Sequence, residues 1–173
     1  IDFGLAVDVQ CWRGSADSAA LSARPSRVGQ DGAFTWHNLD VGGDCRYWPC
    51  SAWTQFLLGW TEVEASPSLC FEYRTQLDLH SLGLTALQLL VELLPPPSEG
   101  GGGGAPGEEP PFAEMHALQA AWEEYWTMVS PVHGRLIETF HGGGNWADLK
   151  ADCLEGQVHH VVAGHLAALR AAL

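Results

Sequence analysis

The chain has 173 residues, long enough for one domain with a substantial core. Hydrophobic residues make up 46% of it and eight are tryptophan, which excludes a disordered chain. Acidic side chains outnumber basic ones 21 to 8, for a net charge of −13. A surface of that sign repels phosphate backbones, so nucleic acid is not an expected partner, whereas basic proteins or peptides are compatible with it.

The first nine residues (IDFGLAVDV) predict a short strand, a turn at Asp2-Phe3-Gly4 and an extended stretch. Residues 11–35 are small and polar, with Arg13, Arg24 and Arg27 interspersed among serines, and read as a loop. Between residues 42 and 60, Trp48, Trp53, Phe56, Leu57 and Trp60 recur at three- and four-residue spacing around Pro49, which predicts an amphipathic helix or helical turn on a core. Residues 61–77 read as a loop with Pro67, followed by a short helical or extended lead-in.

Residues 78–94 (DLHSLGLTALQLLVELL) predict a helix headed by Asp78, as a cap and as a charge against the dipole. Its leucines cover most of the circumference, so it is expected at the centre of the fold. Pro95-Pro96-Pro97 ends it, and the Gly/Pro-rich stretch 98–111 reads as a flexible inserted loop. Phe112, Met115, Leu118, Trp122, Tyr125, Trp126 and Val129 mark one face of a helix over 112–129. Pro131 and Gly134 predict a break, with helix resuming over 135–140. Asn145 is placed to cap a short helix after Gly142-Gly143-Gly144, and 158–173 form the last helix, with Val158, Val161, Val162, Leu166, Leu169 and Leu173 inward.

The five cysteines, Cys11, Cys45, Cys50, Cys70 and Cys153, include no C-x-x-C, and the Cys45–Cys50 spacing suits neither a zinc knuckle nor a redox motif. Reduced thiols and a cytoplasmic location are expected. No signal-peptide pattern stands at the start, which is Ile1 and not a start methionine. The longest apolar run is interrupted by Thr85, Gln88 and Glu92, so no membrane span is expected. His159, His160 and His165 read as helix-surface histidines, because no H-E-x-x-H pattern places two on one face.

Three stretches, in order, carry a resemblance. Ile1-Asp2-Phe3-Gly4-Leu5-Ala6 is followed by Gly43-Asp44-Cys45-Arg46-Tyr47-Trp48-Pro49-Cys50-Ser51 and then by Asp78-Leu79-His80-Ser81-Leu82-Gly83 at the head of an apolar helix. Together they resemble the C-terminal lobe of the eukaryotic protein kinases from the DFG motif onward. The resemblance implies a mainly α fold with a long irregular activation segment. Residues 1–51 would be that segment, 52–77 an insert, 78–94 the central helix, 95–111 a flexible loop and 112–173 the outer helices.

It further implies a cofactor site at Asp2, Phe3 and Gly4, with Asp2 the ligand for the magnesium of Mg-ATP, a hard cation that takes oxygen donors. No catalytic residue is assigned within the chain, since the glycine-rich loop, the ATP-positioning lysine and the H-R-D loop are not in it. Asp44 stands where the family's threonine helps place the substrate hydroxyl. Ser51 stands where a glutamate anchors the segment through a buried arginine pair, and no arginine near the last helix is expected to receive it. Two functions compete: Mg-ATP-dependent Ser/Thr phosphoryl transfer by a parent protein with an N-lobe, or an inactive pseudokinase acting as a scaffold for protein partners. A helical structural subunit of a larger assembly is a third reading.

Overall fold

The computed structural model describes residues 42–94 and 113–173. The expected strand and turn of residues 1–9, the loop at 11–35 and the 98–111 linker lie outside the described residues. Among those described, the protein is mainly helical and no residue is in a strand. No described helix is long and apolar enough to cross a membrane.

A 3-10 turn at Cys45–Tyr47 begins where the Asp44 carboxylate accepts the Arg46 backbone N–H at 3.0 Å. The chain then extends through Trp48 and Pro49 into α1, Cys50–Leu58. Proline costs nothing at a helix start, where its missing N–H would lack an intrahelical partner anyway. Every residue from Ser51 to Leu57 is buried. Trp53 is fully enclosed, with Trp48 edge-on at 5.2 Å, and Trp48 also meets Phe56 at 5.5 Å. Thr54 is tolerated inside because its hydroxyl donates back to the Cys50 carbonyl at 2.9 Å. The aromatic spacing expected over 42–60 is realised in part: Trp53, Phe56 and Leu57 lie on α1, whereas Trp48 precedes it and Trp60 follows it, and α1, buried nearly all round, is the most enclosed of the described helices.

Gly59, at a φ of 90°, turns the chain directly into α2, Trp60–Ala65. Ser66 then caps α3, Pro67–Thr75, accepting from the Leu69 N–H with Pro67 in the first turn. The stretch expected as loop thus includes the short helix α2, while α3 realises the helical form of the expected lead-in; Val63 and Tyr73, which is buried against Trp60, hold the pair.

The helix expected at 78–94 is α4, Leu77–Leu93. Its cap position falls at Gln76, which makes no side-chain bond there, so Asp78 serves the first turn as a charge and not as the cap. Its burial also differs from expectation. Leu84, Leu87 and Val91 are buried, whereas Leu79, Leu82, Leu89, Leu90 and Leu93 are between 40% and 83% exposed. An apolar pattern all round says what a helix can bury, and the described residues cover one side of this one.

Helix α5, Ala113–Gly142, is 30 residues long and runs through Pro131 without a break. The expected interruption is absent because apolar contacts hold both sides of the proline. Leu118, Trp122, Tyr125 and Val129 are buried before it, and Val132 and Leu136 pack on the core after it. Gly143, at a φ of 67°, leads out of α5. Asn145 caps α6, Trp146–Glu155, as expected, its Oδ1 accepting from the Ala147 N–H at 2.9 Å. Helix α7, Val158–Ala172, makes the most extensive contact between described helices, along α5, and also packs on α1. Val162, Leu166 and Leu169 face inward as expected, while Val161 and Leu173 are exposed.

Candidate functional site

The segment 42–51 lies between α4 and α5 and is held from both sides. Ser81 of α4 donates its hydroxyl to the Tyr47 carbonyl at 3.0 Å, and the Tyr47 hydroxyl donates to Gln88 Oε1, two turns further along the same face, at 2.5 Å. From α5, the buried Tyr125 hydroxyl donates to the Arg46 carbonyl. Burial pushes the Tyr125 phenol far above its ordinary value, so it stays a donor at any physiological pH. The indole N–H of Trp48 closes the loop on itself through the Gly42 carbonyl at 3.0 Å.

Within this segment three ligand-type side chains converge. Asp44 Oδ1 lies 3.2 Å from His133 Nδ1, and Cys45 Sγ lies 3.7 Å from the same nitrogen. The donor atoms of all three lie within 4.8 Å of one another. Asp44 also receives the Arg46 guanidinium, at 2.6 Å to Oδ2. Burial alone would raise the Asp44 carboxyl, but the hydrogen bonds from the Arg46 side chain and backbone, with the charges of His133 and Arg46, hold it below the ordinary carboxylate value. Arg46 rides over the Trp126 ring at 4.7 Å, and Trp126 stacks on Trp122 at 5.3 Å.

Cysteine, histidine and aspartate suggest a nucleophilic triad, but the geometry opposes one. Both contacts fall on the single nitrogen Nδ1, whereas a relay needs the imidazole to face nucleophile and carboxylate through different nitrogens. Cys45 is fully buried, and burial, reinforced by the Asp44 charge, pushes its thiol up to about 12. Such a thiol is a poor nucleophile. Nor does the cluster suit magnesium, which takes oxygen donors.

The sequence-assigned site residues Asp2, Phe3 and Gly4 lie outside the described residues, so no other group is placed against them. Ser51 is buried, and its hydroxyl finds no partner among the described residues. Its backbone N–H donates to Glu72 Oε2 of α3 at 2.8 Å, so a carboxylate reaches this position from elsewhere in the chain. On α7, the charge of Arg170 acts on both Cys50 and His80. Beside it a groove of about 420 Å³ opens between α4 and α7, lined by His80, Leu87, Leu90, Leu166, Leu169 and Arg170.

No family model, curated protein or solved structure matches the chain. The Asp44–Cys45–His133 cluster had no sequence signal: adjacent Asp and Cys form no ligand spacing, and His133 joins them only because α5 folds back across the 42–47 segment. The four described cysteines are free thiols.

Proposed function

We propose that the chain is the C-terminal-lobe portion of a protein kinase-like protein, and that this lobe works as a protein-interaction module. The observation that carries the reading is the contact between Tyr47 and Ser81 with Gln88. The stretch containing Gly43, Arg46 and Tyr47 and the helix headed by Asp78 are two of the three that bear the kinase resemblance. They are far apart in the chain and touch in the fold.

The interaction role is supported by what replaces the family's groups. Asp44 is engaged by Arg46 and His133, and so is committed to holding the segment itself. Ser51 offers no carboxylate for the family's buried arginine pair. Losing an ion pair's acid in favour of a neutral group is tolerable when the arginine stays in water, and Arg170 is exposed. The exposed leucines of α4 form an apolar stripe of the kind that binds other polypeptide.

A second reading rests on the IDFGLA motif: the parent is a Ser/Thr-type kinase, with Asp2 as the magnesium ligand of bound Mg-ATP. Titration calorimetry of Mg-ATP into the longest natural form of the protein, beside an Asp2→Ala variant, separates the two. The interaction module predicts no magnesium-dependent binding to a folded protein. Binding that needs magnesium and disappears in Asp2→Ala would overturn the module as the sole role and establish a nucleotide site.

A further inference from the structure

We infer that Asp44, Cys45 and His133 form a zinc site that clasps the 42–47 segment to α5. The geometry points to this ion. Zinc bonds of about 2.3 Å to sulfur and about 2.0–2.1 Å to nitrogen and oxygen, set tetrahedrally, place sulfur and nitrogen about 3.6 Å apart and nitrogen and oxygen about 3.3 Å apart. The observed edges are 3.7 Å for Cys45 Sγ to His133 Nδ1 and 3.2 Å for His133 Nδ1 to Asp44 Oδ1. The third pair, Cys45 Sγ and an Asp44 carboxylate oxygen, lies within 4.8 Å, so one ion held by His133 reaches the other two donors once the Cys45 and Asp44 side chains draw toward it.

The donor set selects the metal class. A thiolate with an imidazole favours zinc over magnesium or calcium, which take oxygen alone. On binding, the Cys45 proton and any proton on His133 Nδ1 leave to solvent, and the ion takes the freed lone pairs. Thiolate and carboxylate offset the divalent charge, and the Arg46 guanidinium on the same carboxylate leaves the assembled site net positive. The supporting contacts are in place as well: Arg46 donates to both Asp44 oxygens and fixes the carboxylate plane, and Tyr125 holds the Arg46 carbonyl. Cys45 is sealed from solvent, while the Asp44 and His133 side chains are 29% and 18% exposed. The ion can enter on that side, and water can complete the fourth position.

The site is independent of the kinase-like reading, because it involves no nucleotide and none of the residues assigned to Mg-ATP. Its effect is to join residues 88 positions apart in the chain, fastening the segment that also docks on α4.

The test is a titration of the reduced, metal-free full chain with Co²⁺ alone, a spectroscopic substitute for zinc. The site predicts one Co²⁺ per chain, with a thiolate-to-cobalt charge-transfer band and the visible bands of tetrahedral cobalt, all bleached by one equivalent of Zn²⁺. Cys45→Ser should lose the charge-transfer band. Because Cys45 is fully buried and its replacement can disturb folding, the partly exposed His133→Gln is the deciding variant. Its affinity should fall by more than the about 10–100-fold that loss of a supporting group costs. Cys70→Ser should leave the spectrum unchanged. Zn²⁺ should raise the thermal midpoint of the wild type and leave that of His133→Gln where it was. A folded, reduced wild type with no sulfur-to-cobalt band, or a spectrum and affinity unchanged by His133→Gln, would overturn the site.

Discussion

At His80 the fold holds an imidazole half-buried beside Leu166 and Leu169, with Nε2 lacking a partner among the described residues. Burial lowers its pKa below the ordinary 6.5, and Arg170 lowers it further against the opposing pull of Glu72. The unfolded chain therefore takes up the proton first as the pH falls. The His80 contribution to stability is full above about pH 6.5 and is lost as the pH falls through the lower, folded value. His80→Leu should shrink the difference in denaturant midpoint between about pH 7.5 and about pH 5.5. An undiminished difference would assign the acid sensitivity to another group, such as His159, whose pKa is also lowered by burial and by His160.

On the scale of elements, periodicity made the helices legible. The aromatic spacing around Pro49 became α1, and Asn145 capped α6 as its side-chain chemistry requires. What stayed hidden depends on tertiary contact. Pro131 reads as a helix breaker until Val129 on one side and Val132 on the other are seen anchored in the core. The apolar circumference of α4 reads as full burial, yet Leu82 and Leu93 stand in solvent. Gly83 probes that exposed face. A Cβ built there would meet nothing within 4 Å, so among the described residues no contact requires a glycine. Gly83→Ala should therefore stabilise this chain by about 0.5–1 kcal/mol through helix propensity, read as a higher denaturant midpoint at unchanged m-value. A loss of stability would mean that polypeptide lies against Gly83 in solution.

Across the whole molecule, the described helices gather around α1 and α5, while α4 presents one side to the core and an apolar stripe outward. The acidic balance, 21 acids to 8 basic residues, leaves Arg46 within the segment-docking site as one of few cations, already matched to Asp44 and Trp126. The individual helices were legible from the three- and four-residue apolar spacing, and the expectation of a mainly helical fold came from the resemblance. The Asp44–Cys45–His133 cluster was not, because two of its members sit in a turn and the third on a helix that returns to them late in the chain. The proposed kinase-like lobe depends above all on the docking of the 42–51 segment on α4. Denaturant unfolding of the wild type, Tyr47→Phe, Gln88→Ala and the double variant measures that contact. A seated segment predicts a coupling of about 0.5–1.5 kcal/mol between the two substitutions. Effects that add to within about 0.3 kcal/mol in folded variants would contradict it, and with it the physical contact between the two stretches that carry the kinase resemblance.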